Sequence, residues 1–286
     1  MNELIPLVSF PKSGNTWMRF LLANVFKRDR SKLINFNNIN QFTVTSPKEI
    51  NEKVTSMLLS DAPVFIKEHA SFDNMDSYEY EKAIYIYRNG LDVLSSYWHF
   101  TEAQAPGFYK NIEQFSKYYW NYCGHWGDHL NSWRRQVLHN GTNPVKVCHV
   151  SYEDLIKEPV KILTTVIEFL GYNFPESIIK NAVLESSSEN MKKMTGSQSF
   201  MRSKNKKTHF VRQGTVGGSK SLSSFCINKF LNHPNNYEAM VDLGYLDVRN
   251  SIDKFTFSNS INLNWINKIV LRYLSAKYKI KDYLVE

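Results

Sequence analysis

A lysine and several small polar residues lie between two apolar stretches near the start of the chain, an arrangement that can bind an anion. The apolar run 5–10 predicts a buried strand that breaks at Pro11, and apolar side chains recur with helical spacing from Trp17 onward. The first turn of a helix offers free N–H groups and the positive end of the helix dipole, and a glycine lets the backbone approach a ligand closely. The sequence therefore predicts a phosphate cradle formed by Lys12, Ser13, Gly14, Asn15 and Thr16.

A second strand-turn-helix pattern, in residues 84–96, adds another candidate anion site. Arg88 stands at the end of an apolar run, and Ser96 follows on the predicted helix. An arginine guanidinium can bind a phosphate through two parallel hydrogen bonds, and the serine hydroxyl can reach the same anion. Two separate anion sites predict a ligand that carries two separated phosphates.

The obvious competitor for the first cradle is a nucleoside-triphosphate P-loop. That motif requires a glycine, four further residues, and then Gly-Lys-Ser/Thr, so that its lysine follows the second glycine. Here Lys12 precedes the one glycine of the loop, and no match to the motif occurs anywhere in the chain. A metal-dependent kinase or ATPase is therefore disfavoured.

Three motifs resemble those of the PAPS-dependent sulfotransferases and occur in the same order along the chain. The resemblance covers roughly residues 5–245. Residues 11–17 (Pro-Lys-Ser-Gly-Asn-Thr-Trp) look like the family's 5'-phosphosulfate loop. Residues 87–100 resemble its 3'-phosphate segment, and residues 210–220 are similar to its late Arg-Lys-Gly stretch. The resemblance implies the donor 3'-phosphoadenosine 5'-phosphosulfate (PAPS), the product adenosine 3',5'-bisphosphate (PAP), and no metal.

The resemblance also implies a role for each matching residue. Lys12 would lie beside the transferring sulfuryl group and residues 13–16 on the 5' phosphate, while Trp17 would stack on the adenine and Tyr152 would approach it. The implied 3'-phosphate contacts are Arg88, Ser96, Arg212 and Gly214, with Gln213 where the family usually has a second cation.

Residues 64–69 resemble the strand-end segment that supplies the family's catalytic base, which makes His69 the base and Lys67 a second cation near the sulfuryl group. Sulfuryl transfer, like phosphoryl transfer, is an in-line displacement in which negative charge spreads over oxygens, so positioning and fixed positive charge do most of the catalysis. The attacking group must also lose a proton. An imidazole, with an ordinary pKa of about 6.5, is suited to accept it.

The elements that must position these residues are those of an α/β fold. Apolar runs at 5–10, 64–66, 83–87 and 145–150 alternate with helical segments. This alternation predicts a single domain over residues 1–286, with a central parallel sheet flanked by helices. The resemblance implies that the turn after the first strand is a P-loop-like site for the phosphosulfate. Ligands then bind at the carboxyl ends of the strands. We expect residues 35–41 to be a loop, and Trp126, Leu130, Trp133 and Val137 to be core.

Composition narrows the class of protein. No stretch approaches the roughly twenty apolar residues of a membrane span, and the first strand starts too early for a cleavable signal. The three cysteines are widely spaced and contain no Cys-x-x-Cys pair, which favours a reducing cytoplasm without a disulfide or zinc framework. The net charge of +8 fits an anionic donor, whereas signature nucleic-acid readers are absent.

The acceptor is expected to be a small molecule that bears a hydroxyl or an amine. Aromatic residues after the 3'-phosphate motif can line a compact pocket, with Glu102 as the nearby acid; these residues are Tyr97, Trp98, Phe100, Phe108 and Tyr109. Equally, they can be helix core, or can hold a cationic acceptor against their faces.

Two alternatives to the enzyme stay open from the residues alone. They are a catalytically inactive PAPS- or PAP-binding protein and, less favoured, a P-loop kinase. The basic segment 192–207 is either a mobile solvated stretch or a lid. The tail 246–286 lies beyond the resemblance; an apolar stripe within it predicts a helix that docks on the body, or less favourably a homodimer or membrane-surface contact.

Overall fold

A parallel sheet forms the centre of the protein in a computed structural model. The structure describes residues 3–75, 80–119, 123–136, 144–196 and 216–247. The strands of the sheet are β1 (Leu4–Ser9), β2 (Thr43–Val44), β3 (Val64–Glu68), β4 (Lys82–Tyr87) and β5 (Lys146–Ser151). Their order across the sheet is β2-β3-β1-β4-β5. Each neighbouring pair runs parallel, so the α/β fold predicted from the alternation of apolar runs is confirmed.

Helices connect the strands and cover both faces of the sheet. They are α1 (Asn15–Phe26), α2 (Glu52–Met57), α3 (Gly90–Gln104), α4 (Ile112–Ser116), α5 (Trp126–Arg135), α6 (Tyr152–Lys157), α7 (Pro159–Leu170), α8 (Glu176–Glu185), α9 (Ser188–Gly196), α10 (Ser224–Leu231) and α11 (Pro234–Asp242). Short 3-10 turns occur at Ile39–Gln41, Pro47–Glu49, Phe72–Asn74 and Gly218–Ser221.

Alternating strand residues build two separate cores. Leu7 and Ile84 belong to the cluster that includes α1, α7 and α8, whereas Val8 and Tyr85 belong to the cluster that includes α3, α5, α10 and α11. Side chains along a strand point to opposite faces in turn, so the nearly continuous apolar runs reflect a sheet that is buried on both sides.

The strands end in turns whose polar residues start the next helix. After β4, the Asn89 side chain accepts hydrogen bonds from the N–H groups of Leu91 and Asp92. After β5, the Ser151 hydroxyl accepts one from the N–H of Asp154. Such caps satisfy N–H groups that have no partner within the helix. Both helices therefore begin directly at the carboxyl edge of the sheet.

Most predictions for individual elements are confirmed, with three differences. The edge strand β2 was missed because two residues give no periodic signal. The segment 35–41 is irregular except for the 3-10 turn Ile39–Gln41, and residues 192–196 of the proposed mobile segment or lid belong to α9. Trp126, Leu130 and Trp133 are fully buried, as predicted, while Val137 lies outside the described residues.

Helix α5 packs so closely on α11 that a glycine is required at their contact. A Cβ added at Gly127 would overlap the backbone carbonyl of Asn235, which cannot turn aside as a side chain can. The Gly127 N–H also donates to the Asn236 side chain at 2.7 Å. This close approach fixes the start of α5 relative to α11.

We expect Gly127→Ala to lower the free energy of unfolding by about 3 kcal/mol, the upper part of the range for overpacking. Gly107→Ala is the control, because its Cβ would meet no atom within 4 Å and the change adds only the strain of φ 74°, about 1 kcal/mol. Denaturant unfolding of both variants measures the difference. Equal losses would contradict the close-approach explanation.

Candidate active site

The turn between β1 and α1 has the backbone shape of an anion cradle. Lys12 and Gly14 both adopt left-handed conformations, with φ of 73° and 111°, and the Ser13 N–H donates to the Phe10 carbonyl at 3.2 Å. Successive N–H groups in turns of this kind form a concave anion site. A Cβ at Gly14 would lie 2.6 Å from the Tyr152 ring, so this position must be glycine.

Two side chains of this loop behave differently. The Ser13 hydroxyl is buried and has no hydrogen-bond partner among the described residues. Asn15 is also buried, but its side-chain nitrogen donates to the Leu7 carbonyl at 2.8 Å and thereby ties α1 to β1. The Asn15 side chain is therefore structural, and the backbone N–H is what this residue can offer an anion.

Three cationic side chains come together next to the loop. Burial, followed by the charges of Arg88 and Lys67, lowers the pKa of Lys12 to about 8. Burial also lowers the pKa of Lys67, and the charge of Arg19 adds to this effect. Groups that disfavour one another's charge in this way are stabilised by an anion between them.

His69 lies at the end of β3 with one ring nitrogen occupied. Its Nδ1 is 2.7 Å from the Ser9 carbonyl oxygen. A carbonyl can only accept, so Nδ1 carries the proton and Nε2 presents a lone pair. Burial is the largest of the causes that lower the pKa of His69 to about 4, and the nearby charge of Lys67 contributes. The ring is thus neutral at pH 7.

Arg88 follows β4 and is buried between an acid and an aromatic ring. Its Nη2 is 3.5 Å from the Asp92 Oδ2 atom, and its guanidinium carbon is 4.6 Å from the centre of the Tyr152 ring. Ser96 is half-buried on the same helix, α3. Arg212, Gln213 and Gly214, the other predicted contacts of this site, lie outside the described residues.

Asp92 links the Arg88 site to a distant part of the chain. Its two carboxylate oxygens accept from the N–H groups of Gly217 and Ser219, each at 2.7 Å. Burial alone would raise the pKa of Asp92, but these hydrogen bonds outweigh it and the pKa is lowered. The segment that follows residues 212–214 is therefore fastened to the helix that follows Arg88.

Tyr152 and Trp17 form an aromatic pair beside the loop. Their ring centres are 6.0 Å apart in an edge-on arrangement, and the Trp17 Nε1 atom is buried without a hydrogen-bond partner in the described ranges. Tyr152 thus contacts both the Gly14 turn and Arg88, which brings the two predicted phosphate motifs together at the carboxyl ends of β1, β4 and β5.

An aromatic wall, here defined as Tyr97, Trp98, Phe100, Tyr109 and Phe115, adjoins the same edge. The Lys12 ammonium lies 4.2 Å from the centre of the Phe100 ring, so the wall begins next to the cation cluster. Phe108 is largely exposed and packs edge-on against Tyr109. Glu102 accepts from the Gly107 N–H at 3.1 Å.

The sequence predicted that Lys12, Lys67, His69, Arg88 and Tyr152 lie at the carboxyl edge of the sheet, and the structure places them there. Two interactions that support these residues were not predicted. One involves Asp92, which lies in the first turn of α3, four residues after Arg88, and contacts it at 3.5 Å. The other is a buried pair, Tyr85 and His129, hydrogen-bonded at 2.8 Å. No local pattern connects residues on β4 and α5.

The chain belongs to the sulfotransferase family: residues 3–233 match the model of the sulfotransferase domain. Cytosolic sulfotransferase 7 of Arabidopsis thaliana is 27% identical over 248 residues, which cover 76% of this chain and 73% of that protein. Mouse sulfotransferase 1B1 is 28% identical over 236 residues, 76% of each chain. The fold is similar to that of mouse sulfotransferase SULT7A1 complexed with PAP, with a TM-score of 0.57, 20% identity, and coverage of 85% of this chain and 88% of that one.

None of the helices in the described ranges combines the length and the apolar character needed to cross a membrane. In those same ranges, no group of three or more His, Cys, Asp or Glu side chains is arranged to hold a metal ion.

Proposed function

We propose that this sulfotransferase uses PAPS as its donor and transfers the sulfuryl group to a hydroxyl or amine of a small acceptor, with His69 as general base. The observation that carries the proposal is the position of a neutral His69, with its Nε2 lone pair available, beside the Lys12 and Lys67 cations. The family membership and the mouse structure complexed with PAP support the same donor.

The cradle and its neighbours fit such a donor. The left-handed turn at Lys12 and Gly14, together with the buried Ser13 hydroxyl, suits the 5' phosphate. Arg88 and Ser96 suit the 3' phosphate, and we assign Arg212, Gln213 and Gly214 to it as well. We assign Trp17 and Tyr152 to the adenine, because their rings lie 6.0 Å apart and Tyr152 also contacts Arg88.

The transfer needs positive charge on one side of the sulfur and a base on the other. When PAPS is bound, it supplies an activated sulfuryl group on a good anionic leaving group. Lys12 and Lys67 stabilise the charge that develops on the leaving and equatorial oxygens. The bond from sulfur to the 5'-phosphate oxygen breaks, the bond from sulfur to the acceptor oxygen or nitrogen forms, and the acceptor proton moves to the His69 Nε2 atom.

The aromatic wall supports a small acceptor. Because Phe100 lies directly beside Lys12, an acceptor that packs on this ring is within reach of the sulfuryl group. Rings of this kind enclose small apolar ligands and also attract cationic ones through their faces, so phenols and cationic amines are both suited. The names of the cytosolic relatives and the spaced cysteines favour a cytoplasmic enzyme.

Binding of PAP tests the donor assignment. Without divalent metal and with EDTA present, PAP at a hundred times its Kd should stabilise the protein by about 2.7 kcal/mol, because N–H groups and fixed cations recognise both phosphates. Thermal unfolding measures the effect. Absence of a shift with PAP, or an equal shift with ATP only when magnesium is added, would contradict the assignment.

Two variants distinguish the proposed role of His69, which affects kcat, from that of Arg88, which affects PAP affinity. We expect His69→Ala to lower kcat by about a hundredfold to ten-thousandfold with little change in PAP affinity. Arg88→Ala should weaken PAP binding at least tenfold, since a hydrogen bond to a charged group contributes about 1.5 to 3 kcal/mol.

Calorimetric titration with PAP and turnover by mass spectrometry, which detects the added sulfuryl group, measure both effects. Arg135→Ala, at an exposed pair with Glu238, is the control and should match the wild type. A His69→Ala protein that turns over normally would remove the base assignment. A protein that binds PAP but sulfates none of a panel of phenols, alcohols and amines would support the non-catalytic alternative.

The pH profile tests Lys12. Its pKa of about 8 in the free protein means that the ammonium loses its charge as the pH rises through that value, so kcat/KM for the donor should fall there. In Lys12→Arg the guanidinium stays charged, and we expect a lower plateau without this alkaline decline. Lys161→Arg, at an exposed lysine, should keep the wild-type profile. The same decline in Lys12→Arg would assign it to another group.

A further inference from the structure

Helix α5 holds the segment that follows His69 through three hydrogen bonds. His129 Nε2 lies 3.0 Å from the His69 carbonyl oxygen, Trp133 Nε1 donates to the Ala70 carbonyl at 3.1 Å, and the Phe72 N–H donates to the Ser132 hydroxyl at 3.0 Å. Residues three and four positions apart share one face of a helix, so a single face of α5 anchors the end of β3.

The bond from His129 has a defined direction. Because the His69 carbonyl can only accept, the proton must lie on the His129 Nε2 atom. In the neutral ring the Nδ1 atom is then an acceptor, and the Tyr85 hydroxyl, at 2.8 Å, donates to it. Burial is the largest cause that lowers the pKa of His129 to about 4, so the ring is neutral at pH 7. The hydrogen bonds therefore run from Tyr85 to His129 to the His69 carbonyl.

His69 is held from two sides as a result. Its ring is fixed by the bond from Nδ1 to the Ser9 carbonyl of β1, and its peptide group is fixed by His129 of α5. Tyr85 and His129 are each 1% exposed, so water does not compete for these bonds. The two anchors together set the direction in which the Nε2 lone pair of His69 points.

We propose that His129 is a positioning residue for sulfuryl transfer: it fixes the backbone of His69, and Tyr85 selects the tautomer of His129 that can do so. The inference rests on the proposed role of His69 as the base. General-base catalysis requires the base within hydrogen-bond reach of the acceptor proton, and a displacement of about 1 Å at a reacting group costs about a hundredfold in rate.

The test compares a variant that keeps the donor with one that removes it. His129→Gln retains a side-chain N–H that can reach the His69 carbonyl, whereas His129→Leu fills the site without a donor. We expect His129→Leu to lower kcat about tenfold to a hundredfold at unchanged PAP affinity, and His129→Gln to restore most of the loss. Tyr85→Phe, which keeps the ring and removes only the hydroxyl, should lower kcat several-fold in the same way.

A double variant separates positioning from a general structural effect. If His129 acts through the base, His69→Ala/His129→Leu should be no slower than His69→Ala alone, because residues that act as one unit are strongly non-additive. Asn131→Leu is the matched control: Asn131 is buried on the same helix, and its Nδ2 has no hydrogen-bond partner in the described part of the chain. This control should alter the melting temperature without lowering kcat of the folded protein.

The outcomes distinguish the two levels of inference. An active His69→Ala protein would overturn the base assignment and the positioning role with it. If His69→Ala is inactive while His129→Leu and Tyr85→Phe keep the wild-type kcat, only the positioning role fails. A kcat of the double variant well below that of His69→Ala, or an equal loss in Asn131→Leu, would likewise overturn it. If His129→Leu does not fold, His129→Gln and Tyr85→Phe still test the positioning role. A wild-type kcat in Tyr85→Phe, together with a kcat in His129→Gln as low as that of His69→Ala, would reject it.

Discussion

Positive charge is gathered at a partly buried edge of the sheet. Burial and the charges of Arg88 and Lys67 disfavour the charged form of Lys12, and burial and the charge of Arg19 disfavour that of Lys67. Such a cluster persists only where the surrounding structure holds it. Two fully packed cores, one on each face of the sheet, hold the strand ends from which these side chains come. An anionic ligand would relieve both costs, which is why the cations and the left-handed turn occur at the same edge.

The same charges act on His69, for which we propose the role of general base. An imidazole protonated before the acceptor arrives could not accept a proton, and burial together with Lys67 and Lys12 disfavours that protonated form of His69. The bond to the Ser9 carbonyl acts in the opposite direction and raises the pKa, yet it is needed because it fixes the tautomer. The two effects are compatible in the proposed mechanism: the Ser9 carbonyl determines which nitrogen carries the proton, and burial and the cations disfavour protonation of the other nitrogen.

Local patterns predicted the strands β1, β3, β4 and β5 and the residues at their carboxyl ends. A buried parallel strand, the polar turn after it and the start of the next helix are all encoded by consecutive residues. The sequence could not predict what depends on contacts across the chain. The Asn15 side chain looked like a ligand residue because of its position, but its nitrogen donates to the Leu7 carbonyl at 2.8 Å. The Tyr85 hydroxyl meets His129 only because β4 and α5 pack face to face. The two residues of β2 are too few to show an alternating pattern. They form a strand because they pair with β3.

Asp92 shows how one carboxylate can serve both fold and site. Each of its oxygens receives a backbone N–H at 2.7 Å, from Gly217 and Ser219, whereas Arg88 is farther away, at 3.5 Å. The short bonds hold the carboxylate against Gly217 and Ser219, and the Arg88 contact is longer than the charge-assisted bonds of a close arginine-carboxylate pair. A tighter pair would compete with a phosphate for the same donors. Residues 212–214 come shortly before Gly217 in the sequence. A phosphate bound by Arg88 and by residues 212–214 would therefore join two parts of the chain that Asp92 already links through Gly217 and Ser219.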